Sequence, residues 1–436
     1  MLCPVFWTHL PPLGIATLSS FLSSRGYETD VRDLNIELFH AVPDALKSIW
    51  LTPLLPSVSL TLLRHIKENM PEYYNGLVTA AADYSVIGFS LFRSNREYAV
   101  GLARDVRERN PAARIVFGGP ETLRAVYDSG FRDALFLDSG ADILVAGEGE
   151  SGFEKCLKRE PEEPVLVSFE EETDLDSFPF PTFSGFPLRR YKRQRALPIQ
   201  ASRGCIRRCR FCTECLLSTR YKCRSARHVF DEILWHRAHN KTCWFTFHDS
   251  LINGDLDMLD ELCALLIKDN TGIKWEAQVA IRPDMDEHLL RKMKQAGCFN
   301  IFVGLESGSG KVLAKMGKGY TPEAAAAFLR RVRRSGLHAE ISLIVGFPEE
   351  TDDDFEETLS FLSENRSVIP KIAQVNPFVL LPESAYAREN AAGSDGFPHV
   401  YNGEVSRRRM DRCVGFFEKN DFTYTPYFIN NLAYET

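Results

Sequence analysis

Apolar residues in the first third of the chain gather into short runs separated by amphipathic stretches of helical length. Leu13–Arg25 reads as a helix that stops at Gly26, a residue that readily takes the left-handed conformation ending a helix. Glu28–Leu34 follows as a strand, and a helical insert fills residues 36–80. Tyr84–Ser90 is predicted as a buried strand, Arg96–Arg109 as a helix, and Ala113–Pro120 as a strand ending in a glycine turn. Asp142–Glu150 is the last strand of the series and runs into a helix at Ser151. Short apolar strands alternating with helices predict an α/β fold with a doubly wound parallel sheet, which binds ligands at the carboxyl ends of its strands.

Residues 156–190 read as a linker, with acidic residues and prolines such as Glu162-Glu163-Pro164 and Phe178-Pro179-Phe180-Pro181. Alternation then resumes, with strands at 197–202, 243–249, 274–281, 299–305, 339–345 and 372–380. Helices fill the gaps at 226–239, 255–268, 286–296, 309–316, 322–335 and 351–365. Six such units predict a partial (β/α)6 barrel, whose site lies at the C-terminal strand ends. The expected domains are 1–155 (doubly wound sheet), 191–385 (barrel) and 386–436 (a C-terminal extension). The aromatic content of that extension (Phe416, Phe417, Phe422, Tyr424, Tyr427, Phe428) suggests packing onto the barrel.

Composition narrows the function. The 436 residues suffice for two or three domains, and 44% hydrophobic with 25% charged residues is ordinary for a soluble globular protein. No apolar run approaches the roughly 20 residues that span a bilayer, and no secretion signal is recognisable. Eleven cysteines in such a chain predict a reducing cytoplasm, with metal binding or chemistry in place of disulfides. A net charge of −7 speaks against nucleic acid as the main partner. A small-molecule substrate is expected, and no membrane partner.

The densest chemistry is Cys205-x-x-x-Cys209-x-x-Cys212. Close cysteine pairs also serve zinc, or are inert thiols, but a zinc ribbon needs a second pair roughly 15–20 residues on, and no clean one follows. Three thiolates at this spacing can instead hold three corners of a [4Fe–4S] cubane, leaving one iron open. The run, with Phe211 just before the third cysteine, resembles the signature of the radical S-adenosylmethionine (SAM) enzymes. That resemblance implies that the open iron chelates the amino and carboxylate groups of S-adenosylmethionine. It also implies that one electron from an external donor such as flavodoxin or ferredoxin cleaves the cofactor to a 5′-deoxyadenosyl radical.

Residues 3–155 resemble the cobalamin-binding domain that precedes many such enzymes, on Pro11-Pro12-Leu13-Gly14, Gly118-Gly119-Pro120-Glu121 and Gly147-Glu148-Gly149-Glu150. Two features depart from that pattern. Only about ten residues precede the Pro-Pro-Leu-Gly turn, too few for a full first strand. No Asp-x-His-x-x-Gly loop is present. The expectation is a retained scaffold without cobalamin, with bound cobalamin as the alternative.

In the barrel, Asp249 ends the second strand, where its carboxylate could reach cofactor or substrate beside Ser250; the alternative is a helix cap near Asp255. Arg282 ends the third strand and could pair with a cofactor carboxylate, or form a surface salt bridge. Gly304-Leu305-Glu306-Ser307-Gly308-Ser309 is similar to the family's Gly-x-Glu-Ser-Gly-Ser turn, which implies that Glu306, with Ser307, binds S-adenosylmethionine. Ser342-x-Ile344-x-Gly346-x-x-Glu349 is close to a further family pattern, which implies adenine packing on Ile344 and close backbone approach at Gly346. Alternation along strands then puts Glu276, Gln278, Glu340, Ser342 and Asn376 into the lumen. That lining is polar and acidic, suited to a hydroxylated or amino-bearing sugar, with Asp249, Glu276 and Glu340 as catalytic candidates. His248 reads as a packed histidine, and Cys215 and Cys223 as inert thiols, second-cluster ligands or a hydrogen donor.

The shortened first strand and the acidic lumen favour radical dehydration and deoxygenation. This resembles the radical diol-dehydratases of aminoglycoside biosynthesis, which work with a separate reductase. The alternatives are a cobalamin-dependent radical C-methyltransferase of natural-product biosynthesis and a non-enzymatic redox or sensing module.

Overall fold

The computed structural model describes residues 1–51, 56–158, 163–168, 174–218, 220–390, 399–400 and 403–425. The chain divides into two units, Met1–Pro198 and Ile199–Thr436.

The first unit is built on four parallel strands in chain order, β1 (Val86–Ser90), β2 (Arg114–Gly118), β3 (Ile143–Ala146) and β4 (Val165–Ser168). Successive side chains point to opposite faces. Ile87, Phe89, Ile115 and Phe117 therefore share one core with Tyr98, Leu102 and Val106 of the helix Arg96–Arg109. Val116, Ile143 and Val145 face the other way, against Phe153 and Cys156 of the helix Gly149–Lys158. Burial on both faces is why these strands read as continuous apolar runs.

Two expectations change here. Glu28–Leu34 forms no strand. Asp33 instead caps the helix Leu34–Ala41, accepting from the Ile36 amide at 3.1 Å and from the Tyr191 hydroxyl at 2.6 Å. The first-strand position is filled by Leu2 alone, which bridges Ser90 on one side and Asp33 on the other. Within the stretch read as linker, Val165–Ser168 extends the sheet; four residues between polar segments are too few for periodicity to reveal.

The second unit carries a six-stranded sheet in the order β12-β11-β10-β9-β8-β5, in which the neighbours from β12 to β8 are parallel. β5 is Ala196–Ile199, within which the division between the units falls. Two short segments follow as an antiparallel pair, β6 (Ser202–Arg203) with β7 (Lys222–Cys223). Then come β8 (Trp244–Phe247), β9 (Lys274–Val279), β10 (Cys298–Glu306), β11 (His338–Val345) and β12 (Lys371–Pro377). Helices Ala226–Asn240, Leu256–Lys268, Glu287–Gln295, Pro322–Ser335 and Asp352–Glu364 connect them. Asp, Ser or Thr caps each of these helices, as the residues before each apolar stripe predict.

Trp275, Ala277, Val279, Ile301, Val303, Ile341 and Leu343 are buried on the outer, helix-facing side of the sheet. After β12 the helix Gly403–Lys419 packs on the barrel through Met410, Cys413 and Phe417. The Ile372 amide donates to the Thr423 carbonyl at 2.8 Å. The extension thus covers the last strand, as its aromatics suggested; Tyr427 and Phe428 lie outside the described residues. Among the described residues no helix is long and apolar enough to cross a membrane.

Candidate active site

The cysteine loop leaves β5 through Ala201 and Ser202, both fully buried, and Asp249 fixes that exit. Both carboxylate oxygens accept from the Ala201 amide at 3.1 Å, and one accepts from the Ser202 hydroxyl at 2.5 Å. Burial pushes this carboxyl up to about 6 from its usual 3.8. Asp249 was expected to reach cofactor or substrate. Its oxygens are spent on the loop's root, so it positions the loop.

Gly204 then turns with φ 79°, and a Cβ there would lie 2.5 Å from the Arg220 carbonyl. Only glycine fits both the left-handed conformation and the close approach. Cys205, Cys209 and Cys212 follow, each half-buried. Amides of Arg207 and Glu214 donate toward the sulfurs of Cys205 (3.4 Å) and Cys212 (3.5 Å). Burial raises all three thiols, Cys212 to about 12. A bound metal centre reverses that preference by stabilising the thiolate.

Among the described residues no three His, Cys, Asp or Glu side chains gather around one ion. Three thiols in one loop, two of them approached by backbone amides, are compatible with a cubane that takes each thiolate on a different iron.

The far side of the loop is anchored too. The Arg210 amide donates to the Met316 carbonyl (2.9 Å), and its guanidinium pairs with Glu389 (2.5 Å). Phe211 packs in an apolar cluster with Val312, Met316, Phe347 and Tyr386, to which Ile344 also contributes. The structure thus brings together Phe211 and Ile344, two residues far apart in sequence.

β10 ends in an irregularity between Gly304 and Glu306, and Glu306 takes φ 66°. This turns its carboxylate toward Lys318 Nζ and Ser342 Oγ, each at 3.2 Å. Ser307 is fully buried behind the turn, 3.0 Å from the Thr358 hydroxyl and accepting from the Ser309 amide at 3.0 Å. It locks the turn. Arg282 is also committed, to Asp284 (2.9 and 2.5 Å) and to the carbonyls of Asn253 and Gly254 (2.7 Å each). Its guanidinium holds its own strand end rather than a cofactor carboxylate. Ser250 donates to Glu214 at 2.8 Å, on the segment following the third cysteine.

Gly346 (φ 75°) donates its amide to Glu350 at 2.7 Å, and an added Cβ would run into the Ser406 hydroxyl. Arg409 pairs with Glu350 at 2.6 Å in a buried ion pair. The C-terminal helix therefore shapes this strand end. Glu349, at φ 71°, points outward to Lys315 (2.7 Å).

Inside the barrel the residues lie in layers. Register places Thr246 beside Glu276, then Asn300 and His338. One level nearer the carboxyl ends stand Gln278, Phe302, Glu340 and Lys371. Gly304, Ser342 and Gln374 come next, then Ile344 and Asn376. The alternation read from the sequence assigns the same side chains to the inner face.

The expected acidity is reduced by paired lysines. Glu276 accepts from Thr246 (3.0 Å), Glu306 pairs with Lys318, and Glu340 pairs with Lys371 (3.0 Å). The two lysines offset Glu306 and Glu340 but not Glu276, so the lumen is polar with one carboxylate beyond its lysines. Lys318, Lys371, Phe302 and Tyr320 escaped the sequence reading; register alone would have pointed to Phe302 and Lys371.

Comparison with known proteins places this geometry. Residues 199–362 match the family model of the radical SAM superfamily. A cytidylyl-2-hydroxyethylphosphonate methyltransferase of Streptomyces wedmorensis is 24% identical over an alignment of 487 positions, covering 95% of this chain and 88% of that protein. An uncharacterised methyltransferase of Pyrococcus horikoshii is 25% identical over 300 residues, and the chain spans 64% of its length. Among solved structures, the radical S-adenosylmethionine methyltransferase TsrM from Kitasatospora setae superposes with a TM-score of 0.66 at 18% identity, over 88% of this chain and 74% of that one. The cobalamin-dependent enzyme OxsB, with aqua-cobalamin bound, gives 0.68 at 18% identity, over 96% of this chain and 66% of its own. Residues 199–362 are a radical SAM domain, and the chain shares the fold of TsrM and OxsB.

Proposed function

We propose that the protein is a cobalamin-dependent radical SAM C-methyltransferase acting on a small polar acceptor. The observation that carries this reading is the relation to cytidylyl-2-hydroxyethylphosphonate methyltransferase, which runs through both units and covers 95% of the chain. Dehydration has less support, because Lys371 offsets Glu340, one of the two lumen carboxylates on which it rested.

The first unit is compatible with a corrinoid at the carboxyl edge of its sheet. Leu2 pairs beside β1, so the sheet is continuous there. The turns after β2 and β3 carry glycines at 118, 119, 147 and 149, and a Cβ at Gly149 would meet nothing within 4 Å. No histidine lies on the segments following β1, β2 or β3, so a ligand to cobalt from those turns is not of that type. When bound, the cluster supplies the electron that cleaves S-adenosylmethionine, and the corrinoid supplies the methyl group.

The chain's own residues would then divide the work. Cys205, Cys209 and Cys212 hold the cluster, and Phe211 and Ile344 flank the cofactor. Glu306, steadied by Ser342, accepts hydrogen bonds from it. Gln278, Phe302 and the Glu340–Lys371 pair orient the acceptor one layer below, while Glu276 is held by Thr246. An external one-electron carrier such as flavodoxin or ferredoxin supplies the reducing equivalent.

The test is anaerobic reconstitution with iron, sulfide and hydroxocobalamin, followed by gel filtration. Stoichiometric corrinoid in the protein peak is expected. A protein that keeps its cluster but no corrinoid would overturn the methyltransferase reading.

A further inference from the structure

The run Met316-Gly317-Lys318-Gly319-Tyr320 holds none of the expected cofactor residues, yet it is seated against the cysteine loop. Gly317 (φ 71°) faces that loop, with an added Cβ 3.6 Å from the Arg208 carbonyl and 3.8 Å from the Arg210 amide. Gly319 (φ 69°) faces the Arg207 guanidinium, 2.7 Å from an added Cβ. The Arg210 amide donates to the Met316 carbonyl at one end of the run. At the other, the Tyr320 hydroxyl lies 3.0 and 2.8 Å from the carbonyls of Gly304 and Leu305. Two left-handed glycines and two anchors thus press this strap onto the loop.

The side chain between them turns inward. Lys318 is 12% exposed, with Nζ 3.2 Å from Glu306 and 5.9 Å from the ring centroids of both Phe211 and Tyr320. Phe211 immediately precedes Cys212, so the ammonium lies beside the loop that carries the three thiols. An ammonium in such a place is costly unless opposing charge surrounds it. Glu306 supplies one negative charge, 11% exposed and shared with Ser342. A thiolate-bound cluster supplies the rest, and its negative charge grows by one on reduction.

We propose that Lys318 sets the reduction potential of the cluster, its ammonium favouring the reduced state and Glu306 partly offsetting it. The step is a transfer of one electron from an external one-electron carrier, which is oxidised, to the cluster, which is reduced; no bond or proton changes hands. The assignment rests on the cluster at Cys205, Cys209 and Cys212, and extends it by naming the charge that tunes it.

The test is a potentiometric titration followed by electron paramagnetic resonance, on full-length protein reconstituted anaerobically and without S-adenosylmethionine. Lys318→Met is expected to lower the reduction equilibrium constant about tenfold or more, which is about 59 mV for one electron. Lys318→Arg should stay near wild type, and Glu306→Gln should shift the opposite way. A Lys318→Met protein with wild-type iron and sulfide and an unmoved or raised potential overturns the proposal. If that variant assembles no cluster, Glu306→Gln decides: a raised potential supports the assignment and an unmoved one overturns it. A wild-type protein that assembles no cluster overturns both the cluster reading and this proposal.

Discussion

Replacing Asp249 by alanine separates a positioning carboxylate from a catalytic one. The side chain is 1% exposed and accepts from the Ala201 amide and the Ser202 hydroxyl, both at the root of the cysteine loop. Removing it leaves two buried donors without their acceptor. Each such orphan costs about 1–3 kcal/mol, so the variant should lose about 2–6 kcal/mol in urea unfolding of the apoprotein. The loop that begins at Ser202 would lose its fixed start, so iron bound per chain at limiting iron should also fall. Asp249→Asn keeps one acceptor and should lose about half as much. A catalytic Asp249 predicts the reverse: unchanged stability and iron content, with loss of turnover only. An Asp249→Ala protein within about 0.5 kcal/mol of wild type and fully loaded with iron refutes the positioning argument.

Other outcomes follow from the same geometry. Because burial raises the Asp249 carboxyl from 3.8 to about 6, its stabilising contribution is full below the unfolded value and is lost as pH rises through about 6. The stability of wild type relative to Asp249→Asn should therefore fall by about 3 kcal/mol between about pH 4 and about pH 7, and parallel profiles would contradict this. Gly204→Ala forces a side chain into the left-handed region against the Arg220 carbonyl; it should cost about 1–3 kcal/mol and weaken iron binding, measured by urea unfolding and iron analysis. Arg409→Met strands the buried Glu350 carboxylate that holds the Gly346 amide, and should cost about 3–5 kcal/mol by the same unfolding assay. Glu340→Gln releases Lys371 in the lumen; acceptor-dependent turnover should drop while 5′-deoxyadenosine formation without acceptor stays unchanged, as chromatography of the products would show.

The barrel was largely legible because strands such as Lys274–Val279 bury alternate residues. Alternation of Ala339, Ile341 and Leu343 with Glu340, Ser342 and Ile344 fixes which side chains point inward. The cysteine spacing and the Gly-x-Glu-Ser-Gly-Ser turn named the chemistry, since local motifs survive being read one residue at a time. What stayed hidden depends on partners distant in sequence. The Asp249 carboxylate closes on Ala201, 48 residues away, so its type and strand-end position suggest reactivity while its partners make it a clamp. Arg282 likewise meets Asn253 and Gly254 across a neighbouring loop. Lys318 sits between two predicted helices in a segment that carried no expectation, and the two left-handed glycines beside it turn it under the loop. β4 was lost because four residues carry too little pattern, and Glu28–Leu34 was misread because Asp33 serves better as a cap than as a strand end.

The central claim is a cubane held by Cys205, Cys209 and Cys212 with one iron open to S-adenosylmethionine. The most direct measurement is electron paramagnetic resonance of the reduced, reconstituted protein, containing about four irons per chain, with and without saturating S-adenosylmethionine. The account predicts that the cofactor changes the spectrum of the wild-type cluster and that replacing all three cysteines by alanine abolishes the signal. A fully loaded, fully reduced cluster whose spectrum ignores S-adenosylmethionine would contradict it.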